Sequence, residues 1–468
     1  MVFSSLLFIF KFLPITLLLY YIVPKSLRNI VLILASLIFY AWGEPVYIVI
    51  MLFAIVFDYT NGLIIEKNSA NIVIKRLGLI ASLVVNLGLL SFFKYYGFFV
   101  SNVSALFHLN LTIKSLPLPL GISFYTFQSM SYIIDVYLGK VPAQKKILAY
   151  ATFVTMFPQL VAGPIVRYID ISKQIDNRKQ NLVQFLDGLE LFIIGLAKKV
   201  LLANNIGILW TSIKATPQGE ISILTAWIGI ISFTFQIYFD FSGYSDMAIG
   251  LAKMLGFELN INFNYPYISR NVTEFWRRWH ISLGTWFREY LYIPLGGNRQ
   301  GKWKQLRNLF VVWFLTGFWH GANWNFIVWG LYFGSFVVLE KFFLLKWLNN
   351  KPRFIGHVYT LLVVIVGWVF FEFDSLSQGL GFIRTMFGIG ANKLIDGHSL
   401  YYLYTNAILF VILAICSTPL MRNLLNKFKK TMKVTGTIAI PVAYMLIVVL
   451  CTAYLVNESY NPFLYFRF

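Results

Sequence analysis

Charged residues are scarce in this chain, and cysteines are scarcer still. Only 12% of the 468 residues are charged, whereas 58% are hydrophobic; a soluble domain carries about 25% charged residues. Apolar runs long enough to cross a bilayer recur throughout, so we predict an all-α polytopic membrane protein. The two cysteines, Cys416 and Cys451, lie in apolar runs, which argues against a disulfide framework.

Several familiar catalytic and binding motifs are also missing. The sequence has no Gly-rich phosphate loop, no Cys/His cluster at metal-ligand spacing and no G-x-S-x-G nucleophile elbow. We therefore expect no bound metal or cofactor. The net charge of +20 is compatible with nucleic-acid binding, but cytoplasmic loops of membrane proteins also collect Lys and Arg. We favour the second explanation and expect no nucleic-acid partner.

The apolar runs predict about 11 or 12 transmembrane helices in a single domain that covers residues 1–468. Residues 147–165 are apolar but interrupted by Pro158, Gly163 and Pro164, so we predict a re-entrant segment that protein must cover. The predicted spans are 3–23, 29–42, 45–65, 77–100, 118–138, 182–203, 222–241, 308–321, 324–341, 357–373, 400–418 and 436–456.

The distribution of positive charge predicts an orientation for these spans. The first apolar run, 1–23, lacks a basic start and a cleavage site, so we interpret it as an uncleaved helix. With the N-terminus outside, the inner loops contain roughly 30 of the 39 Lys and Arg residues. We therefore predict a multi-pass protein of the cell membrane with both termini extracytoplasmic.

His320 is the first candidate catalytic residue. It lies 13 residues after Arg307, so a helix carries it about 20 Å above the inner surface, within a hydrocarbon core of about 30 Å. Residues 321–323 then break the helix, and an imidazole beside such a break can act as a general base toward a hydroxyl. The alternative is a core histidine bonded to a carbonyl. We favour a catalytic role for His320, with Trp319 and Asn323 as supporting residues.

His280 lies on a more basic element. Asn271 followed by Glu274 resembles the start of a helix, and on one continuous helix Trp276, His280, Leu283 and Phe287 share a face. Glu274 and Arg278 have the spacing of a helical ion pair. Two interpretations stay open from the residues alone: a site, or an interfacial amphipathic helix with an aromatic belt.

The stretch that contains His280 is densely basic. Arg277 and Arg278 are the central pair, and we predict that they bind a polyanionic acyl donor, because a positive surface attracts polyanions. The alternative is that these residues only anchor the inner face. The basic residues are Arg270, Arg277, Arg278, Arg288, Arg299, Lys302, Lys304 and Arg307.

Two carboxylates lie at the inner end of a predicted span. Asp240 and Asp246 belong to the segment FDFSGYSDMAIG. They either orient a histidine or line a polar path, or else they cap a helix and form a surface pair.

Six segments of the chain resemble the membrane-bound O-acyltransferase (MBOAT) superfamily, in particular its alginate O-acetyltransferase (AlgI-like) branch. The two that contain the histidines are the most specific. The segments are PLGISFYTFQSMSYIIDVY at 119–137, FPQLVAGPIVRY at 157–168, FDFSGYSDMAIGLAKMLGFELNINFNYPY at 239–267, NVTEFWRRWHISLGTWFREYLYIPLGGNR at 271–299, GFWHGANW at 317–324 and YNPFLYFRF at 460–468.

The resemblance implies a ring of tilted helices around a catalytic tunnel. It implies that His320 is the catalytic histidine and that His280 matches the second histidine of the family. It further implies acetyl transfer from cytoplasmic acetyl-CoA toward an extracytoplasmic polysaccharide, commonly with a separate SGNH-type acetyltransferase partner.

Two other functions remain as alternatives. One is D-alanyl transfer to a cell-envelope polymer, because the related DltB-like branch shares the segment around His280. The other is a permease for an anionic glycan precursor, although we find no internal repeat of the kind that many transporters have.

Overall fold

The structure is a computed structural model that describes residues 1–111, 117–161, 163–391, 393–431 and 435–457, together with Leu464. The described residues form helices and connecting turns, with no β-strand among them. This confirms the predicted all-α class. The chain folds into two compact units. The first comprises Met1–Phe192, Ser245–Ile261 and Arg288–Tyr290, and the second comprises Ile193–Tyr244, Asn262–Phe287 and Leu291–Phe468.

The first half of the chain contains eleven α-helices among its described residues. They are α1 (Leu13–Ile22), α2 (Arg28–Ala41), α3 (Ile48–Lys67), α4 (Ile72–Leu90), α5 (Tyr96–Phe107), α6 (Ile122–Tyr137), α7 (Ile147–Thr155), α8 (Phe157–Leu160), α9 (Tyr168–Asn177), α10 (Leu182–Ala197) and α11 (Asn205–Ala215). A π-helical segment, Lys198–Asn204, joins α10 to α11.

The second half follows the same pattern of long and short helices. They are α12 (Ile223–Met254), α13 (Val272–Arg278), α14 (Ile281–Phe287), α15 (Lys302–His320), α16 (Trp324–Leu339), α17 (Leu345–Asn349), α18 (Arg353–Glu372), α19 (Leu376–Met386), α20 (Gly397–Cys416), α21 (Leu420–Thr431) and α22 (Thr435–Asn457).

Eight helical stretches among the described residues are long and apolar enough to cross a membrane. They agree with eight of the twelve predicted spans, and the other four correspond to helices that are shorter or more polar. In particular, α2 has 14 residues and α6 has 16, whereas about 20 residues span a bilayer at right angles. The chain is therefore a multi-pass membrane protein. The ring of helices, the tunnel and the single domain stay predictions.

The segment predicted to be re-entrant is broken where its sequence suggests. Helix α7 ends at Thr155, and α8 covers only Phe157–Leu160. Both helices are largely buried within the first unit, as a broken backbone in an apolar setting requires.

Helices α15 and α16 form a tightly packed hairpin in the second unit. A Cβ atom built on Gly317 would overlap the Phe326 carbonyl oxygen, and one built on Gly330 would overlap that of Trp313. No side chain fits at either position, so the two glycines allow the backbones to touch. This contact fixes the end of α15, where His320 lies.

Candidate active site

His320 is the last residue of α15 and is buried. Gly321 leaves the helix in an extended conformation, and the side chain of Asn323 caps α16 by accepting a hydrogen bond from the Asn325 N–H at 3.3 Å. The helix break predicted at residues 321–323 is therefore confirmed. Because the break directly follows His320, its imidazole lies at the tip of the hairpin.

Aromatic rings surround the His320 imidazole. The ring centroids of Trp319 and Trp329 both lie 4.9 Å from that of His320, and the centroid of Phe371 lies at 5.3 Å. The Trp329 and Phe371 rings meet the imidazole edge to face, which is a favourable arrangement for aromatic pairs. These contacts restrict the orientation of the imidazole.

A small cavity of about 10 Å³ lies against this imidazole. Such a volume holds about one water molecule. Carbon-rich side chains make up most of the wall, and Asp240 is the charged residue in it. The lining residues are Ile237, Asp240, Phe241, Trp279, His320, Trp329, Trp368, Phe371 and Leu464.

Asp240 is buried and forms an ion pair within the second unit. Its Oδ1 lies 2.5 Å from Nζ of Lys199, and Lys199 also donates to Oδ1 of Asn204 at 2.9 Å. The other carboxylate oxygen accepts the backbone N–H of Leu464 at 2.9 Å. Lys199 lies in the π-helical segment, and such segments occur frequently at functional sites. The His320 cavity is therefore bordered by a carboxylate that a buried lysine neutralises.

Three of the predicted supporting residues, Trp319, Asn323 and Asp246, lie outside the cavity lining. Asp246 belongs to the first compact unit and is half-buried. Asn323 donates its side-chain N–H to the Asp374 carbonyl at 2.8 Å, in addition to capping α16. The structure thus gives Asn323 a role in holding the hairpin turn. The roles of Asn323 and Asp246 as tunnel residues stay predictions.

The prediction of one continuous helix through His280 is wrong. Helix α13 ends at Arg278 and α14 begins at Ile281. His280 lies between them with φ of +45°, a left-handed conformation that is uncommon for residues other than glycine. The chain turns at this position, so the shared face expected for Trp276 and His280 does not form.

Polar contacts with Asn262 and Ser282 hold His280 in this conformation. Nδ1 of His280 lies 3.3 Å from Oδ1 of Asn262 and 3.4 Å from Oγ of Ser282. The same Asn262 oxygen accepts the backbone N–H of Ser282 at 3.2 Å and its hydroxyl at 2.9 Å. Because both of these groups donate, the Asn262 atom that they contact is the amide oxygen, which can only accept hydrogen bonds. The contact therefore favours a proton on Nδ1, leaving Nε2 as the basic nitrogen.

His280 is buried, and aromatic rings pack on it as well. The centroid of Phe241 lies 4.8 Å from its ring, and that of Trp319 lies 6.1 Å away. Burial lowers the pKa of His280 to about 3. The imidazole is therefore neutral at physiological pH. Trp319 contacts both imidazoles and so connects the two histidine positions.

Two side chains anchor the N-terminus of helix α13, which precedes His280. Asn271 caps its N-terminus by accepting the Glu274 N–H at 2.6 Å, as predicted. Buried Glu340 also accepts the backbone N–H groups of Val272 and Thr273, at 2.5 and 2.8 Å. A carboxylate at a helix N-terminus is stabilising because it complements the helix dipole.

The two arginines near the end of α13 differ in their surroundings. Arg278 lies 3.0 Å from the Glu274 carboxylate, which confirms the predicted pair, and it donates to the Asn264 carbonyl at 3.1 Å. Partial burial acts to raise the pKa of Glu274, but hydrogen bonds from Arg270 and Arg278 lower it below its ordinary value. Arg277 is exposed. The Arg278 side chain is therefore partly engaged in contacts within the protein, whereas the Arg277 side chain is exposed to solvent.

Several residues of this region were missed from the sequence. Lys199 carried a usable signal, because an ionisable side chain in an apolar run suggests function. Asn262 and Glu340 carried none, since they contact residues that lie 18 and 68 positions away in the chain. The aromatic wall residues Trp329 and Phe371 were hidden among the many aromatic residues of the chain.

Comparison with known proteins gives a consistent result. The model of the family "MBOAT, membrane-bound O-acyltransferase family" matches residues 141–380, a range that contains both histidines. The chain is 39% identical to "Probable alginate O-acetylase AlgI" of Pseudomonas putida, over 100% of both chains. It is 37% identical to "Peptidoglycan O-acetyltransferase" of Helicobacter pylori, over 84% of this chain and 81% of the relative.

A more distant relative covers only part of the chain. This is "Teichoic acid D-alanyltransferase" of Streptococcus thermophilus, which is 31% identical over 50% of this chain and 58% of the relative. The family match, the full-length similarity to acyltransferases and the buried histidine beside a cavity all agree. The chain therefore belongs to the membrane-bound O-acyltransferase family and is an integral membrane O-acyltransferase.

Proposed function

We propose that this protein transfers an acetyl group from cytoplasmic acetyl-CoA toward hydroxyl groups of an extracytoplasmic polysaccharide, with His320 as the catalytic base. The observation that carries the proposal is the buried His320 imidazole beside a cavity, in a chain similar over its whole length to a protein named as an alginate O-acetylase. The polysaccharide class is inferred from the names of the relatives.

The chemistry suits a histidine in this setting. The imidazole removes the proton of an acceptor hydroxyl while the hydroxyl oxygen attacks the thioester carbonyl. A C–O bond forms, the C–S bond breaks, and the proton passes to the leaving thiolate to give free CoA. Removing the hydroxyl proton is the part of this reaction that needs a base, because an alcohol is a weak nucleophile at neutral pH.

The aromatic wall has two consequences for this mechanism. It keeps His320 away from bulk water, which strengthens electrostatic interactions inside the cavity. It also leaves room for about one water molecule, so the acyl group can reach His320 only if wall side chains move. Trp329 and Phe371 both line the cavity and pack on the imidazole, and we assign this movement to them.

We assign His280 a positioning role at the donor end. Its Nδ1 is held by Asn262 and its backbone is held by the turn between α13 and α14. Arg277 and Arg278 lie on the same basic stretch and would attract the polyanionic donor. Since Arg278 already pairs with Glu274, Arg277 is the one of the two whose charge is available to a donor.

The acceptor and the orientation of the protein belong to the same proposal. The positive-inside pattern places the basic stretch on the cytoplasmic side, where acetyl-CoA is found, and both termini outside. An SGNH-type acetyltransferase partner outside the cell membrane would then receive the acetyl group or deliver it to the polysaccharide. The organisation of neighbouring genes is a direct check, because a partner of this type is expected beside the coding sequence.

An assay with purified full-length protein in proteoliposomes tests the reaction. Acetyl-CoA carrying a labelled acetyl group is supplied on one side and an acetyl-accepting polysaccharide on the other, with and without the SGNH-type partner. We expect release of free CoA that depends on the acceptor, together with labelled ester on the polysaccharide. Transport of unmodified glycan without CoA release would instead indicate a permease.

D-alanyl transfer is the second candidate, because the chain is similar to a teichoic acid D-alanyltransferase over half of its length. The donor distinguishes the two reactions. If the protein uses a D-alanyl-charged carrier protein and ignores acetyl-CoA in the same assay, the acetyl-transfer proposal is wrong. The full-length similarity to an alginate O-acetylase makes acetyl transfer the better-supported reaction.

A further inference from the structure

A second and much larger cavity lies within the first compact unit. Its volume is about 880 Å³, within the range of about 300–1,000 Å³ typical of small-molecule sites. Five of its lining residues are cationic and one is acidic. The lining residues are Lys25, Ser26, Arg28, Asn29, Ile30, Tyr59, Lys145, Lys146, Ile147, Leu148, Ala149, Ile175, Asp176, Asn177, Arg178 and Gln180. We call this the basic cavity.

Three separate segments of the chain contribute these charges. They are the turn before α2, the turn before α7 and the end of α9. The sequence pattern assigns all three to the cytoplasmic side. General enrichment of that side in Lys and Arg explains why each segment is basic. It does not explain why the charges surround one cavity, where they repel one another unless an anion is present.

Arg178 is fixed in place by the fold. It donates to the Tyr20 hydroxyl, to Oδ1 of Asn29 and to the Ile175 carbonyl, each at 2.7 Å. Its guanidinium also lies 4.7 Å from the centroid of the Phe257 ring. A cation with this many neutral partners keeps its full charge and cannot move away from the cavity. It therefore presents a permanent positive charge to the cavity.

Arg28 is held differently and keeps donor capacity. Its guanidinium carbon lies 5.3 and 5.5 Å from the ring centroids of Tyr20 and Tyr21, a distance typical of cation–π contacts. Its Nε is buried and makes no hydrogen bond within the described part of the chain. A buried N–H without an acceptor is costly. Arg28 also lines the basic cavity, so its positive charge is presented there.

Two helix N-termini also line the basic cavity. The first turns of α2 and α7 are among the lining residues, and neither N-terminus has a side-chain cap or an acidic residue in its first turn. Backbone N–H groups and the helix dipole make such ends favourable for anions. Arg28 begins α2 and Lys146 directly precedes α7, so a bound anion would supply negative charge that neither helix end has.

The lysines are only partly neutralised. Lys146 lies 3.3 Å from the Asp176 carboxylate, and Lys145 pairs with Glu66. Counting both acids, five cations oppose two carboxylates, so an excess of three positive charges remains around the cavity. That excess suits a ligand with more than one phosphate charge.

We propose that the basic cavity binds the phosphate groups of an anionic ligand. Two sources share this chemistry. One is the phosphorylated nucleotide of a CoA-type donor, which rests on the proposed function; the other is the headgroup of an anionic phospholipid, which does not. In both cases Lys25, Arg28 and Lys146 contact the phosphates, and Arg178 holds the wall in position.

The test uses full-length protein in nanodiscs and a triple variant, Lys25→Gln with Arg28→Gln and Lys146→Gln. Arg178 is left unchanged because its three hydrogen bonds support the fold. The matched control is Lys67→Gln with Lys173→Gln and Lys179→Gln. These three lysines are exposed, belong to the same unit and do not line the cavity. Both variants lose the same charge.

The first probe is CoA, titrated into nanodiscs of pure phosphatidylcholine. Each cation near a phosphate contributes about fivefold in affinity, so the cavity variant should bind CoA about a hundredfold more weakly. The control variant should stay within about twofold of the wild type, because its lysines are screened by solvent. His320→Ala should bind CoA normally even if acetyl transfer is abolished, which separates this site from the catalytic proposal.

The second probe is phosphatidylglycerol, mixed in equal parts with phosphatidylcholine and measured as lipid retained on the purified protein. Loss of retained lipid in the cavity variant alone identifies a lipid headgroup as the ligand. If the cavity variant binds both CoA and phosphatidylglycerol as the control does, the proposal is wrong. Arg28→Gln alone, expected to weaken binding about fivefold, serves if the triple variant does not fold.

Discussion

His320 and His280 are both buried in the second unit, but the protein holds them in different ways. His320 ends a long helix, lies among aromatic rings and borders a cavity with the Lys199–Asp240 ion pair. His280 occupies a strained turn, where Asn262 and Ser282 hold its Nδ1 side. The first arrangement suits a base that meets the reacting groups, and the second suits a residue that maintains local geometry.

The largest expected effect separates the two histidines kinetically. His320→Ala should lower kcat by about 10²- to 10⁴-fold, the usual cost of losing a general base. His280→Ala should instead raise the KM for acetyl-CoA more than it lowers kcat. Initial rates at varied donor and acceptor concentrations measure both constants, with exposed His398→Ala as a control outside the cavity. Equal kcat losses with unchanged donor KM would remove the distinction.

The next effect concerns the ion pair beside His320. Lys199→Met leaves the Asp240 carboxylate buried without its partner, which typically costs about 3–5 kcal/mol. Adding Asp240→Asn should restore most of that stability, because the amide oxygen can still accept the Leu464 N–H. Thermal unfolding of the purified variants in detergent measures this recovery. A double variant no more stable than Lys199→Met would show that the pair does not act as a unit.

A smaller effect is expected at the hairpin that carries His320. Gly330→Ala places a Cβ atom against the Trp313 carbonyl oxygen, and overpacking of this kind costs about 1–3 kcal/mol. The unfolding temperature should fall, and kcat should fall with it because the end of α15 shifts. Gly390→Ala changes a glycine whose added Cβ meets open space, although its positive φ of 81° adds its own local strain. It should leave kcat unchanged.

The last effect is a pH dependence of stability that comes from His280. Burial lowers its pKa to about 3, whereas an unfolded histidine titrates near 6.5. The neutral form is favoured in the folded state, so its contribution is complete above pH 6.5 and is lost as pH falls toward 3, at about 1.4 kcal/mol per pH unit. His280→Gln should therefore unfold with a weaker pH dependence than the wild type between pH 7 and 5. Parallel pH profiles would show that His280 is not buried in its neutral form.

Local features of the sequence were sufficient to predict much of the structure of the active-site region. The helix break after His320, the Asn271 cap and the Glu274–Arg278 pair are each set by residues within four positions of one another. Charge content and apolar runs likewise predicted an all-α membrane protein. Motif resemblance predicted the family, because the histidine segments combine several specific residues.

The remaining features depend on contacts that no local pattern records. A left-handed φ at His280 has no sequence signal, because residues other than glycine rarely adopt it, and the continuous helix was the natural prediction. The Lys199–Asp240 pair joins residues 41 positions apart, and Glu340 caps a helix 68 positions away. Four predicted spans correspond to helices that are short or polar. The ends of an apolar run are uncertain, so the run does not reveal how long or how polar its helix is.

The central claim is that His320 supplies the base for acyl transfer, and chemical rescue tests it most directly. His320→Gly removes the imidazole and leaves a space of similar shape beside the cavity. We predict that transfer by purified His320→Gly is nearly abolished and that added imidazole restores a measurable, concentration-dependent rate, whereas His280→Gly gains nothing. Near wild-type transfer by His320→Gly without imidazole, in protein that folds normally, would contradict the account.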